Sequence, residues 1–317
     1  MSTYKPLSHP KYTYTQDLED LISLGNLNIE KGRIATLILA GGVGSRLGFD
    51  IPKALVEITR KKGQTQTLLE ALLTQCPKGS VVAIMGSEEN IQAISAHARS
   101  LNDQLGLGLE LFFFCQKSWP YLDHEGNEVR FTSGECVTAP RGNGEALEVL
   151  KEAFFFDKLA SLGIKALSIV PIDNPLAHPL DPELIGAFIE SKTEVAILTV
   201  RREEKESVGV LAVNNASQLR VVEYTELAED EAQSYPFANT GIYVFDLAFC
   251  VRAAAARRKR HQVKKEALVE GVKRLLIKQE TYLFDVFSEA KSIVTFEAPR
   301  QKRFMPIKIP EDLIAFS

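Results

Sequence analysis

Leu37-Ile38-Leu39-Ala40-Gly41-Gly42-Val43-Gly44-Ser45-Arg46-Leu47-Gly48, with Pro52-Lys53 close behind, decides how the rest of this chain is read. Residues 34–39 are a short run without charge, the pattern of a parallel strand covered on both faces. The chemistry then changes at once. Gly41, Gly42 and Gly44 remove the side chains that would hold a ligand off the backbone, and they permit φ > 0, so successive N–H groups can point at one anion. Glycines alone also make an ordinary tight turn, and the cations tip the reading toward a phosphate cradle. Arg46 offers a planar fork for phosphate oxygens, and Lys53 offers a compact point charge behind a proline that fixes the local backbone. The dinucleotide fingerprint of oxidoreductases fits less well, because Gly42, Gly44 and Gly48 are spaced G-x-G-x-x-x-G and no ribose-binding acid follows. The Walker spacing is absent.

Composition sets the outer bounds. With 317 residues, 45% hydrophobic and 25% charged, the chain is ordinary for one large α/β domain or two smaller ones. A net charge of −4 argues against a general nucleic-acid binder, so a site for an anionic substrate must be a local basic pocket. Cys76, Cys115, Cys136 and Cys250 form no C-x-x-C pair and read as reduced core thiols. No stretch approaches the roughly 20 apolar residues of a membrane span, and the first ten residues lack an apolar leader, so a cytoplasmic protein is expected.

Outward from the glycine loop, strands are expected at residues 54–58, 81–85, 109–115, 166–172 and 194–200, and helices at 67–75, 88–101, 145–155 and 182–191. Thr15 can cap an earlier helix carrying Leu18, Leu21 and Ile22, with Gly25 as its end. Gln116 stands at the carboxyl end of a strand, where open α/β sheets place ligand contacts, and reads equally as a loop amide. Gly142, Asn143 and Gly144 put backbone amides and an amide side chain at a helix N-terminus, a ligand dock or simply a turn with its cap. Asp173 and Asn174 end the 166–172 strand. Magnesium prefers one or two carboxylates plus phosphate oxygens, so a lone aspartate there suffices to hold it, an Asx turn being the alternative. His124 lacks a second histidine at useful spacing and reads as a solvated turn residue. The basic run 257–261 reads as a solvated helix end in preference to an anion-binding patch, and residues 282–287 as aromatic core.

These segments, in this order, resemble the UDP-sugar pyrophosphorylases, most closely the UDP-N-acetylhexosamine branch. The likeness runs through the glycine loop with Pro52-Lys53, Pro140-Arg141-Gly142-Asn143-Gly144, Val170-Pro171-Ile172-Asp173-Asn174, Val208-Gly209-Val210, Val221-Val222-Glu223-Tyr224, Tyr282-Leu283-Phe284-Asp285-Val286-Phe287 and Phe304-Met305-Pro306-Ile307-Lys308. It implies an α/β, Rossmann-like nucleotide-diphospho-sugar transferase fold of GT-A type, a mixed central sheet flanked by helices. An N-terminal arm and helix (1–30) would precede a single catalytic domain (31–317), with a nucleotide part at about 31–180 and a sugar part at about 181–317. The resemblance implies that Ala40, Gly41, Gly42, Gly44, Gln116, Gly142, Asn143 and Gly144 bind the nucleotide and that Arg46, Lys53 and Lys308 act on the phosphates. Asp173 would hold Mg²⁺, and Asn174, Gly209, Glu223 and Asn239 would line the sugar site. Read without the family, Glu223 is equally an exposed strand carboxylate and Asn239 a turn residue. Two positions depart from the family pattern: Gly86 replaces a threonine, and Glu145 replaces a glycine beside the expected base pocket. The implied reaction joins UTP and a sugar 1-phosphate, an N-acetylhexosamine above all, to give UDP-sugar and pyrophosphate. Transfer to glucose 1-phosphate or to a broad range of sugars is the alternative within the class, and a non-catalytic UDP-sugar-binding regulator the alternative outside it. Nucleic-acid and membrane partners are not expected, and the oligomeric state stays open, a monomer included.

Overall fold

The computed structural model describes residues 4–316 apart from 43, 61–62, 205, 228–230 and 232, and describes residues 45, 46, 60, 225, 315 and 316 by backbone alone. Its frame is an eleven-stranded mixed sheet. Four parallel strands lie side by side in the order Glu110–Gln116, Val81–Ser87, Ile34–Leu39, Ala166–Pro171. The chain thus winds outward from Ile34–Leu39 on one flank and then crosses to the other. The carboxyl ends of Ile34–Leu39 and Ala166–Pro171 are where that winding reverses, and open sheets form their ligand crevice there. Beyond them Phe237–Asp246 runs antiparallel to both of its neighbours, Ala166–Pro171 and Val195–Arg201, and Val195–Arg201 pairs in parallel with Ile293–Glu297.

Burial explains why the central strands lack charge. Every position of Ile34–Leu39 and Val81–Ser87 is buried, and alternate side chains feed two cores. Ile38, Val82 and Ile84 pack with helices Leu68–Leu73, Ile91–Gln104 and Pro182–Ser191, whereas Leu37, Ala83 and Met85 pack with Ala146–Glu152, Phe155–Ser161 and Leu247–Ala253. Each fully buried Leu or Ile contributes about 1.5–3 kcal/mol, so a sheet covered on both faces fixes the position of its strand ends.

Several expectations change. The first helix spans Glu19–Glu30 with Leu18, not Thr15, at its N-cap and no side-chain cap there, although Asp17 Oδ1 accepts from Glu19 N–H at 3.1 Å. Gly25 does not end this helix. A Cβ there would lie 2.0 Å from Pro182 O, and one at Gly186 would lie 1.9 Å from Leu21 O, so the two glycines let Glu19–Glu30 and Pro182–Ser191 cross closely. Residues 54–58 are not one strand: Lys53–Leu55 is a 3-10 turn, and Glu57–Arg60 forms a small hairpin with Gln64–Thr67. The N-terminal arm is stitched to the sheet at two places, Tyr4–Pro6 against Val210–Asn214 and Tyr12–Thr13 against Ile293–Glu297. All four cysteines are free, but only Cys76 and Cys250 are buried, while Cys115 and Cys136 reach partial exposure. Burial pushes the Cys76 thiol up to about 12. The basic run is not a helix end either. The helix stops at Ala253, Arg258 is buried against Glu148, and His261 opens a two-stranded hairpin of His261–Val269 and Val272–Glu280. Among the described residues no helix is long and apolar enough to cross a membrane.

Candidate active site

At the reversal point the molecule opens into a cleft of about 420 Å³. One side of it is the glycine loop, held from below by a residue that sequence reasoning missed. Asn90 Nδ2 donates to the carbonyls of Ala40 and Gly42 at 3.3 and 3.4 Å, and its Oδ1 accepts from Ser87 N–H at 2.7 Å. Ala40 is fully buried and does not line the cleft. Gly41 and Gly42 do. A side chain at Gly41 would begin 1.9 Å from Gln116 Nε2, so this glycine makes room for that amide, whereas one at Gly42 would meet nothing closer than 3.8 Å. The space over Gly42 is therefore left to a ligand. Gly44 closes the turn: its N–H donates to Ile51 O at 3.0 Å, and a Cβ would lie 2.7 Å from that same oxygen. Arg46 belongs to the 3-10 turn Gly44–Leu47, and its side chain lies outside the described residues.

Lys53 N–H donates to Gly42 O at 3.2 Å, which folds the lysine back over the loop. Its ammonium pairs with Asp173 Oδ2 at 3.3 Å, bridging the ends of the two central strands, and both side chains line the cleft. Asp173 and Asn174 follow one another in the turn that leaves Ala166–Pro171, and there their side chains part company. Asn174 is fully buried, donates from Nδ2 to Arg303 O at 2.7 Å and accepts from Leu176 and Met305 N–H at 3.3 and 3.1 Å. It is not among the residues that line the cleft. With the bond from Ile307 N–H to Asp173 O at 2.7 Å, it moors the segment that carries Lys308 to the cleft.

A second wall of the cleft is built from two loops. Gly142, at φ 92°, and Gly144 both press on Thr281, where a Cβ would lie 2.5 Å from its backbone oxygen and its hydroxyl oxygen respectively. Asn143 Oδ1 accepts from Leu283 N–H at 3.0 Å. Gly142 and Asn143 line the cleft, while Gly144 is buried behind them. Gln116, 3% exposed, also lines it, and its Oε1 is buried without a partner among the described residues. An orphaned acceptor of this kind calls for a donor from a ligand. Glu145, the departure from the family glycine, does not line the cleft: it accepts from Arg141 Nη1 and Lys117 N–H at 2.9 Å each.

Gly209, Glu223 and Asn239 come together beside Lys308. Asn239 N–H donates to Gly209 O at 2.8 Å, its Oδ1 accepts from Tyr243 OH at 2.9 Å, and a Cβ at Gly209 would lie 3.1 Å from Glu223 Oε1. Lys308 Nζ donates to Ser207 O at 3.2 Å on the same loop. Burial, reinforced by Glu226 and opposed by Lys308, pushes the Glu223 carboxyl up to about 7. The hairpin supplies a set of cleft residues that the sequence reading missed: Lys265, Lys278 and Glu280, with Tyr282 just beyond. In the hairpin register His261, Val263 and Lys265 face the same side as Glu280, Lys278 and Leu276. Burial works against the charge on Glu280, but Lys278 and the Tyr282 hydroxyl outweigh it and hold the carboxyl below its ordinary range. His124 is an exposed turn residue, as expected.

The whole is a cleft in which Lys53, Lys265, Lys278 and Lys308 face Glu89, Asp173 and Glu280 over a glycine floor. Such a set can hold a polyanion with a base at one end and a polyhydroxylated group at the other. A protein of Encephalitozoon cuniculi named "Probable UDP-N-acetylglucosamine pyrophosphorylase" is 28% identical over 90% of this chain and 83% of its own length. UDP-N-acetylglucosamine diphosphorylase 1 of Arabidopsis thaliana is 27% identical over 92% of this chain and 64% of its own, so the chain spans just under two thirds of that relative. The crystal structure of the Trypanosoma brucei uridine diphosphate N-acetylglucosamine pyrophosphorylase with an inhibitor superimposes at a TM-score of 0.84 over 99% of this chain and 72% of that one, at 24% identity, and so shares the fold. A family model described as UTP–glucose-1-phosphate uridylyltransferase matches residues 3–317. The chain belongs to that uridylyltransferase family.

Proposed function

We propose that this protein transfers uridylyl from UTP to an N-acetylhexosamine 1-phosphate, N-acetylglucosamine 1-phosphate first among them, releasing pyrophosphate. The observation that carries the reading is the Lys53–Asp173 pair, 3.3 Å apart at the winding reversal, in one cleft with Gly42, Gln116 and Lys308. A sugar phosphate with a second pKa of about 6 is already largely dianionic at neutral pH, so the reaction needs no general base. Its oxygen attacks the α-phosphorus in line as the bond to pyrophosphate breaks. The work left to the protein is alignment and charge neutralisation. The open face over Gly42 receives phosphate, and Lys53 and Lys308 offset the charge that gathers on the leaving group. Gln116 Oε1 awaits a donor of the kind the uracil imide N–H supplies.

Asp173 is the residue that would hold Mg²⁺. Among the described residues no group of three His, Cys, Asp or Glu could hold a metal, and a single carboxylate suits a cation that takes most of its ligands from phosphate and water. When bound there, Mg²⁺ neutralises phosphate charge. The acetamido preference is supported by the names of the relatives and by the carboxylate and amide of Glu223 and Asn239 beside Lys308. We read residues 31–317 as one catalytic unit, and free thiols fit a cytoplasmic setting. The test is pyrophosphate release with UTP, CTP, ATP and dTTP crossed against the 1-phosphates of N-acetylglucosamine, N-acetylgalactosamine, glucose and galactose. Release with UTP and an N-acetylhexosamine phosphate is expected; release with glucose 1-phosphate at equal or greater efficiency would move the assignment to that sugar.

A further inference from the structure

A second concavity, of about 790 Å³, shares no residue with the cleft and is strongly basic: Arg141, Arg257, Arg258, Lys259 and Arg260 line it against Glu145 and Glu148. The two carboxylates are already engaged, Glu145 by Arg141 at 2.9 Å and Glu148 by Arg258 at 3.2 Å. Lys259 is taken by Glu226, outside the groove, at 2.5 Å. Arg257 is exposed with no carboxylate partner among the described residues, and Arg260 meets only the neutral Gln279 Oε1 at 3.5 Å and the Trp119 ring at 4.4 Å. Trp119 also carries Arg141 at 4.8 Å. The second observation lies deeper. The Arg258 side chain is only 5% exposed, and its Nε–H is buried without an acceptor among the described residues. Buried donors are normally satisfied, and a surplus of guanidinium forks around an orphaned one is the arrangement that phosphate oxygens complete.

We propose that this groove binds a small metabolite bearing two or more phosphate groups, and that binding adjusts the uridine-side loop of the active site. Arg141 joins the two places. Its carbonyl accepts from Thr281 N–H at 2.7 Å and from the Thr281 hydroxyl at 3.2 Å, and Thr281 O accepts from Gly144 N–H at 3.0 Å. The intervening Gly142 and Asn143 line the cleft, so a ligand that draws Arg141 toward the groove pulls on the wall against which the nucleotide lies. The coupling half of the proposal rests on the function proposed above; the binding half does not.

Trp119 is the only tryptophan in the chain, which gives the groove its own fluorescent reporter. The full chain is titrated with fructose 1,6-bisphosphate and with inorganic phosphate, by tryptophan emission and by calorimetry, in the wild type, in the double variant Arg257→Gln/Arg260→Gln, whose side chains are exposed, and in Lys53→Ala. Saturable binding of the bisphosphate is expected, tighter than that of inorganic phosphate, weakened by about ten-fold or more in the arginine variant and unchanged in Lys53→Ala. Absence of saturation up to millimolar concentration overturns the site, as does binding that Lys53→Ala abolishes and the arginine variant keeps. For the coupling, the KM for UTP is expected to move by about five-fold with bisphosphate in the wild type and not in the arginine variant. Binding without that movement overturns the coupling, and a chain that releases no pyrophosphate at all condemns the proposed function while the emission titration still decides the site.

Discussion

The two walls of the cleft are made differently. The wall at the ends of Ile34–Leu39 and Ala166–Pro171 grows out of strands buried along nearly their whole length, and its loops are clamped by the buried amides Asn90 and Asn174. The facing wall is carried on a separate two-stranded sheet, His261–Val269 with Val272–Glu280. The outer end of that hairpin leaves Leu268 and Leu275 66% and 65% exposed, and a mutual pair of backbone hydrogen bonds between Leu122 and Ile277, 2.9 and 2.8 Å, braces it. A group that must stabilise a developing charge belongs on the first kind of wall, because any reorganisation there would be subtracted from catalysis. Lys265 and Lys278 stand on the second kind. Under the proposed uridylyl transfer, the first wall takes the chemical step and the hairpin the adjustment of affinity.

That division can be broken by experiment. Lys53→Ala should lower kcat by about 10²–10³ with little change in melting temperature, since it removes charge from a preformed site. A loss confined to KM would place Lys53 among the affinity residues. Asn174→Ala strips three hydrogen bonds from a fully buried site and should lower stability by about 1–3 kcal/mol, seen in chemical denaturation, with a fall in kcat as the Lys308 segment loosens. Lys278→Ala, on the hairpin, should raise KM by about ten-fold and leave kcat nearly intact. If it matches Lys53→Ala in kcat, the two walls are not distinct in role.

The smallest effect concerns Glu223. Because burial lifts its folded-state pKa from 4.5 to about 7, the folded protein keeps a proton that the unfolded chain gives up between those values. The carboxyl therefore costs nothing below pH 4.5, costs progressively more as pH rises, and costs its full amount above pH 7. Glu223→Gln should stabilise the protein by about 1 kcal/mol at pH 8, after allowance for solvent screening, and by nothing at pH 4. Denaturation curves at the two pH values check this, and an equal effect at both would remove the burial argument.

Legibility followed the same division. The glycine loop and Asp173 could be read because each lies within a few residues of a strand whose uniform apolar character declares it buried, and Lys53 because it is a cation behind a proline close after that loop. Asn174, which the resemblance put at the sugar site, turns inward from the turn after Ala166–Pro171 to bond the backbone of Leu176, Arg303 and Met305, while its neighbour Asp173 takes the cleft. Gly86 shows how a departure from a family pattern gains sense only in three dimensions: a Cβ there would lie 2.7 Å from Asn90 Oδ1, so the glycine and the Asn90 clamp go together. The hairpin was illegible because its alternation of Val263, Lys265, Leu276 and Lys278 is interrupted by charges on the other face and preceded by a basic run that suits a helix end equally well. Nothing local distinguishes a lysine that reaches a cleft from one that reaches water.

The role proposed for Lys53 and Asp173, at the winding reversal, in uridylyl transfer is decided by the rate of pyrophosphate release from UTP and N-acetylglucosamine 1-phosphate with Mg²⁺, wild type beside Lys53→Ala, under saturating substrates. Release by the wild type is expected, with a rate lower by about 10² or more in the variant. Undiminished release by Lys53→Ala, or none by a folded wild-type protein that still binds UDP-N-acetylglucosamine, would contradict it.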